Sequence, residues 1–313
     1  MRRQLKAVAL RGAAISGLFA LSRRRTRKAA RILAYHGVSA TFDPHLNFDG
    51  FFVHPDVFER HLRTLAGHYH VMPLDELVTA LRTGTELPDC ATAITFDDGY
   101  LNNFTEALPL LEQYRLPATF FVTTGFLDHT HAPWWWTIRQ ALRDQPRNAV
   151  IDWEAKLKRL PAAQREAEMK KAFGDALPPN DVGLAMMSWD NVRELVQRGY
   201  QVGGHTVSHI SLGHETRNIV LAEVSESMQR IQSEAGTVSP VFSYPYGEAE
   251  HFNAEWSAAL VERGITGGLT TQQGLNGPQT DPFRLNRLNV TGNHDRYAFR
   301  ALASGLSSRC HCP

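Results

Sequence analysis

From residue 31 onward the chain alternates short β-like runs with amphipathic helical stretches, and that alternation leaves few folds open. Residues 31–35, 91–96, 118–123, 200–204, 241–244 and 265–270 have the apolar, β-branched or aromatic character of buried strands. Between them, the spacing of apolar residues predicts helices over 55–65, 74–81, 102–111, 189–197, 218–231 and 254–263. In the first of these, Val57, Phe58, His61, Leu62 and Leu65 recur at three and four; in the fourth, Ser188 is an N-cap and Gly199 follows the end. Strand and helix in strict alternation imply a parallel sheet, here closed as a barrel. The 313 residues, 43% of them hydrophobic, suffice for one domain of about 250 residues with a real core.

Residues 126–187 break the rhythm. The stretch opens with Pro133-Trp134-Trp135-Trp136, continues through a charged helical region over 153–172, and passes Pro178-Pro179-Asn180 before Met186-Met187. It is expected to be a mostly helical insertion on a barrel loop, with the tryptophans anchoring it to the body in preference to stacking on sugar rings.

In a parallel barrel the loops after the C-terminal strand ends carry the chemistry. The run Ala91–Phe96 is followed directly by Asp97 and Asp98. Adjacent carboxylates at the edge of a core repel each other and are costly to bury, and a bound cation would relieve both problems. A second cluster, Gly203-Gly204-His205-Thr206-Val207-Ser208-His209, ends another strand, its glycines expected to let backbone approach the ion. One Asp with two His is a hydrolase metal site. His36 follows the first strand, and Tyr244-Pro245-Tyr246-Gly247 follows a fourth.

These segments resemble the polysaccharide deacetylases of the NodB-homology group, the carbohydrate esterase family 4 type. The resemblance rests on Thr95-Phe96-Asp97-Asp98-Gly99-Tyr100, His205-Thr206-Val207-Ser208-His209 and Phe242-Ser243-Tyr244-Pro245-Tyr246-Gly247, with Ile32-Leu33-Ala34-Tyr35-His36-Gly37-Val38 matching the branch whose first strand ends in Tyr-His. It covers about residues 31–291. It implies a distorted, TIM-like (β/α) barrel of seven strands, and a divalent ion, most commonly Zn2+, held by Asp98, His205 and His209. Three protein ligands with an open position is the catalytic arrangement. By the same resemblance Asp97 is the general base, the backbone N–H of Tyr246 completes an oxyanion hole, and His36 is the general acid. The implied reaction is hydrolysis of a linear amide, the N-acetyl group of an N-acetylhexosamine in an exopolysaccharide or glycan precursor, releasing acetate. O-deacetylation of an ester and a non-catalytic carbohydrate-binding role are the alternatives.

The chain departs from the family pattern in two places. Many members carry an Arg where this chain has Ser243, and that Arg orients the catalytic Asp; here its role is vacant or filled from elsewhere. The late motif that supplies a His acid has only Asn293-His294-Asp295 as a counterpart, without an apolar lead-in, so His294 is expected at the surface.

The first 31 residues hold ten Lys and Arg and no acid. The 23 basic residues left of 33 face 32 acidic ones, so the body carries about −9. The organisation expected is a basic amphipathic arm over 1–30, a deacetylase-like domain over 31–305, and a tail over 306–313. The apolar part of the arm, split by Arg11, is too short to span a bilayer; an interfacial helix on an anionic membrane suits it, with a disordered basic tail as the alternative. An acidic body without basic-aromatic interleaving excludes a nucleic-acid partner. Location at a membrane surface or in the cytoplasm is expected over secretion. Cys90, Cys310 and Cys312 form no disulfide framework.

Overall fold

The structure is a computed structural model that describes residues 16–306 apart from 175, 177, 179–181 and 254, together with residues 10, 12 and 13. Most of the basic arm before residue 16, and Cys310, His311 and Cys312 in the tail, lie outside the described residues.

Seven parallel strands form a nearly closed barrel. They are β1 (Arg31–Tyr35), β5 (Ala91–Phe96), β6 (Thr119–Val122), β7 (Gln201–Gly204), β8 (Val241–Ser243), β9 (Gly267–Gln273) and β10 (Leu285–Asn289). Their spatial order is β7-β6-β5-β1-β10-β9-β8. Short strands β2 (Gly37–Val38) and β3 (Phe52–Val53) pair with each other, and β4 (His70–Val71) extends the β5 edge below β6. Between β7 and β8 no ladder forms, but the Ser239 N–H reaches the Val202 carbonyl at 2.7 Å. Six of the seven barrel strands match the sequence expectation in place; β10 was not expected, because three of the five residues of Leu285-Asn286-Arg287-Leu288-Asn289 are polar and they do not alternate with the apolar ones.

Period-two alternation sorts the strand residues between two cores. Leu33, Tyr35, Ile94 and Phe96 face an outer core with Phe58, Leu62 and Leu65. Ile32, Ala93, Phe121, Val241 and Leu285 fill the inside together with Leu74, Leu77 and Val78. Continuing the inward row, β5 presents Thr95 and then Asp97, β8 presents Ser243, and β10 presents Arg287. Gly203 and Gly204 serve this packing. A Cβ on Gly203 would stand 2.6 Å from the Phe121 ring, and one on Gly204 2.8 Å from Met228 Sδ. Close packing behind the strand thus already requires glycine at both positions.

The helices, in chain order, begin with α1 (Leu18–Arg25), α2 (Pro55–His68) and α3 (Leu74–Thr83). Residues 102–111, expected as one helix, form a π-helical turn over Asn103–Ala107 and then α4 (Leu108–Tyr114), with Pro109, which has no N–H to donate, in its first turn. After α5 (Thr124–Leu127), the insertion is helical as expected: α6 (Trp134–Ala141), α7 (Arg147–Lys158) and α8 (Ala162–Phe173). Then come α9 (Trp189–Gln197), α10 (Arg217–Ala235), α11 (Trp256–Val261) and α12 (Arg296–Ala303).

Residues 18–30, counted with the arm by their charge, pack on the body. Phe19 is buried, and Ser22 Oγ and Thr26 Oγ1 donate to the Ser304 carbonyl. Arg31, fully buried, ties the segment down through donations to the carbonyls of Ala303 and Ala29, both at 2.7 Å. No helix among the described residues is long and apolar enough to cross a membrane.

Candidate active site

Strand register brings the predicted residues together. Tyr35 pairs with Phe96, so His36 and Asp97 leave adjacent strands side by side, and the Asp97 N–H donates to the Tyr35 carbonyl. Val122 pairs with Gly204, which sets His205 next to that rim. His36, Asp97, Asp98, His205, His209 and Tyr246 all line one cleft of about 490 Å³. Three of the seven non-glycine residues with left-handed φ among the described residues line it, Asp98 (74°), His209 (54°) and Tyr246 (63°), and a fourth, Thr206 (66°), directly follows His205. Backbone of this kind is costly and persists where the surroundings over-determine it.

Asp98 faces both histidines. Its Oδ1 lies 3.4 Å from His205 Nε2 and 3.3 Å from His209 Nε2. His205 Nδ1 stands 2.7 Å from the Ser243 carbonyl, which can only accept, so in the neutral ring Nδ1 carries the proton and Nε2 presents a lone pair to the carboxylate. Burial pulls His209 down to about 4, so its ring is neutral at pH 7. One carboxylate oxygen and one nitrogen from each of two buried histidines converge on a single point, and that donor set suits zinc. Burial pushes the Asp98 carboxyl up, but the two histidines more than offset it and the group stays far below the usual carboxylate range.

Asp97 is handled differently. Arg287 Nη1 donates to Oδ1 at 2.9 Å and Nη2 lies 2.7 Å from Oδ2. The Ser243 hydroxyl donates to Oδ1 at 3.2 Å. Burial favours the neutral acid, yet Arg287, His205 and His36 outweigh it and hold Asp97 below its ordinary value. The position vacated by Ser243 is thus served by Arg287 from β10, whose Nε is fixed on the Thr270 carbonyl at 2.7 Å. A lone Arg in a mostly polar run carried no signal for this in the sequence.

The histidine loop is braced from α10. The Glu223 carboxylate accepts from the N–H groups of Val207 (2.8 Å) and Ser208 (3.0 Å) and from the Ser208 hydroxyl. The insertion grips the same loop. Trp134 Nε1 donates to Tyr246 Oη at 3.0 Å, and Tyr246 Oη donates to the His209 carbonyl at 3.1 Å. Trp136 is buried with its Nε1 on Tyr100 Oη, so two of the three tryptophans anchor the insertion, while Trp135 lines the cleft 4.8 Å from the His209 ring. The insertion also adds Arg139 and Lys158 to the cleft wall. Arg139 bridges Glu154 and Asp49, both at 2.7 Å, joining the insertion to the loop after β2. His294 stays outside the cleft in a turn, its Nδ1 accepting the Thr291 N–H.

His36 stacks on Phe51 with ring centroids 4.1 Å apart. Burial lowers its pKa, opposed by the charges of Asp98 and Asp97. The Tyr246 backbone N–H makes no hydrogen bond within the described residues and so is free to donate.

A family profile described as polysaccharide deacetylase matches residues 85–267, more than half of the chain. The chain belongs to the polysaccharide deacetylase family. Among curated relatives, YxkH of Bacillus subtilis strain 168, provisionally named a polysaccharide deacetylase, is 22% identical over 285 residues, covering 90% of this chain and 79% of YxkH. The deacetylase PplD of Streptococcus pyogenes, solved with acetate, superposes with a TM-score of 0.62 at 20% identity, covering 86% of this chain and 96% of PplD. IcaB from Ammonifex degensii gives 0.57 at 19% identity, covering 88% and 97%. These similarities establish a NodB-type barrel for this deacetylase and place its strand-end cleft where such barrels carry their chemistry.

Proposed function

We propose that this deacetylase hydrolyses the N-acetyl group of N-acetylhexosamine residues in an exopolysaccharide or glycan precursor and requires a divalent ion, zinc by preference, on Asp98, His205 and His209. The observation that carries the reading is the split of the two adjacent carboxylates: Asp98 faces two histidine nitrogens while Asp97 is paired with Arg287, all in one cleft. When bound, the ion acts as a Lewis acid toward the acetyl carbonyl and acidifies the attacking water. Asp97, kept ionised by Arg287, accepts the proton of that water. The Tyr246 N–H donates to the oxygen that gains charge as the carbonyl becomes tetrahedral. His36 hands a proton to the leaving nitrogen; burial makes its imidazolium a ready donor, and the neighbouring carboxylates favour its recharging. The pairing of Ser243 with Arg287 around Asp97 removes the main motive for reading the site as a degenerate, binding-only one. We further propose that the protein works at an anionic membrane surface, with residues 1–30 in peripheral contact.

The test is acetate release from N-acetylglucosamine oligomers and acetylated exopolysaccharides by chelator-stripped protein, with and without added zinc. Zinc-restored release by the wild type, and none by Asp97→Asn with zinc still bound, is the expected result. Release only from O-acetyl esters would overturn the amide assignment, and turnover by Asp97→Asn would overturn the base.

A further inference from the structure

The flank of the barrel formed by α2 and α12 carries cations that the catalytic cleft does not use. Arg60, Arg63, Thr64 and His68 of α2 and Arg296 and Arg300 of α12 line one recess of about 290 Å³. Of these four guanidiniums only Arg63 has a carboxylate partner within 4.0 Å among the described residues, Glu59 at 2.8 Å. The nearby acid Asp295 is occupied in capping α12 through the N–H groups of Tyr297 and Ala298. His68 lies below the ordinary imidazole value, through partial burial and then through the charges of Arg23 and Arg300.

Helix α1 leans on this flank, with Phe19 under the Arg300 guanidinium at 5.6 Å and Arg23 over the Tyr69 ring at 5.8 Å. Its last turn adds Arg24 and Arg25. Of the six large hydrophobic residues exposed among the described residues, Leu18, Leu21 and Leu306 belong to α1 or to the chain just after α12. Unneutralised cations with exposed leucines on the adjoining helix and tail suit a surface with anionic headgroups above an apolar layer, and a soluble anion would leave the leucines without a purpose.

The orientation is compatible with catalysis. The far end of α2 leads to His70, which pairs with Ala91 at the start of β5, and Ser304 after α12 meets Thr26 ahead of β1. The end of this face at His68, Arg300 and α1 therefore adjoins the N-terminal rim of the barrel, whereas the cleft opens at the C-terminal rim.

We propose that the α2–α12 recess, with Leu18, Leu21 and Leu306 beside it, docks on the headgroup layer of an anionic phospholipid bilayer. The guanidiniums take lipid phosphates and the leucines enter the interface. This extends the membrane contact proposed for residues 1–30, sharing Leu18 and Leu21 with it but adding Arg60, Arg63, Arg296 and Arg300 of the folded body, so the Arg60→Gln/Arg300→Gln variant tests the folded face apart from the arm.

The experiment is co-sedimentation of the full chain with phosphatidylcholine vesicles, with and without phosphatidylglycerol. Arg60→Gln/Arg300→Gln is compared with the charge-matched control Arg198→Gln/Arg217→Gln on the far side of the barrel, and circular dichroism verifies folding of each. At about fivefold per basic residue, the recess variant should partition into anionic vesicles roughly 25-fold more weakly, with the control near wild type and added salt weakening binding. Leu18→Ser/Leu21→Ser should also weaken it. Equal partitioning of the recess and control variants, or equal binding to neutral and anionic vesicles, would overturn the proposal. So would wild-type binding to soluble inorganic polyphosphate that depends on Arg60 and Arg300 while vesicle binding does not.

Discussion

Arg287 and Asp97 form a fully buried ion pair, and removing one partner should reveal how strongly the other depends on it. In Arg287→Met a carboxylate is left in the barrel interior beside Asp98 with only Ser243 to satisfy it. Losing one member of a buried pair costs about 3–5 kcal/mol. The carboxyl can escape part of this by taking up a proton, at a cost set by the distance between the working pH and the unfolded value near 3.9, which is about 4 kcal/mol at pH 7. The destabilisation at pH 7 is therefore about 3–4 kcal/mol. Its pH dependence has a fixed sign. In wild type Asp97 is held below its ordinary value, so above about pH 5 it is ionised in folded and unfolded chains alike and both bind the same number of protons there. In the variant the folded state retains a proton that the unfolded state has lost, so stability falls as pH rises, by about 1.4 kcal/mol per unit, until the raised folded pKa is passed. Urea unfolding of chelator-stripped protein at pH 5, 6 and 7 measures this directly, and the cycle closed with Asp97→Asn and Arg287→Met/Asp97→Asn cancels every other titrating group. The double variant should show no such slope and recover about 2 kcal/mol or more of the summed single losses. A loss in Arg287→Met under 1 kcal/mol and equal at pH 5 and pH 7 would refute the pairing argument.

His61, buried between Tyr35 Oη and the His294 carbonyl, is pulled down to about 3, mainly by burial. The unfolded chain binds a proton there from about pH 6.5 downward and the folded chain does not, so stability present above pH 6.5 is lost toward pH 3 at about 1.4 kcal/mol per unit; His61→Gln should flatten that part of the stability profile, and an unchanged slope would rule His61 out as its source. Glu223→Gln should weaken zinc binding by about 10–100-fold, measured by competition with a chromophoric chelator, because its carboxylate holds the loop between the two histidines; affinity within twofold of wild type would remove Glu223 from the site. His205→Ala should abolish stoichiometric zinc binding in the same assay, and retained stoichiometry would exclude His205 as a ligand. Trp134→Phe, which deletes the donor to Tyr246 Oη, should lower turnover by several-fold with zinc affinity intact; unchanged turnover would contradict the role given to this brace on Tyr246.

Most of the barrel was legible because its buried strands announce themselves as short apolar runs ending in chemistry-bearing residues. Arg31–Tyr35 and Ala91–Phe96 match the expected strands residue for residue, and Trp189–Gln197 the expected helix with its Ser188 cap. The cluster of Asp97, Asp98, His205 and His209 was legible for the same reason, since strand ends in a parallel barrel share one rim. Arg287 was not. Its strand carries the partner of an acid 190 residues away, so it trades apolar signal for function, and only the closure of β10 between β1 and β9 puts the two in contact. Glu223 was hidden similarly: a Glu on an exposed-looking helix acquires its meaning from backbone N–H groups that a sequence cannot place. The docked α1 was masked by charge, because Arg23, Arg24 and Arg25 dominate its composition while Phe19 is its one buried side chain.

Two consecutive carboxylates at a strand end invite a single explanation, one cation for both. The geometry divides the task instead. Asp97 continues the inward row of β5 after Ala93 and Thr95, which aims it at the inward row of β10, where Arg287 waits. Asp98 leaves the strand with φ of 74° and turns its oxygen to the histidines on the neighbouring rim. The left-handed residue is what lets adjacent side chains take separate counter-charges, one permanent and one exchangeable. The consequence is an asymmetry: the Asp97 pair is made by folding alone and must exist before any ion arrives, whereas Asp98 with His205 and His209 is incomplete without one. Stripping the ion should therefore leave Asp97 ionised and Arg287 in place while loosening the loop of Thr206–Ser208, so that hydrogen exchange in the stripped protein rises at Val207 and Ser208 and stays unchanged at Arg287. Equal protection changes at both places would mean that the two carboxylates act as one site after all.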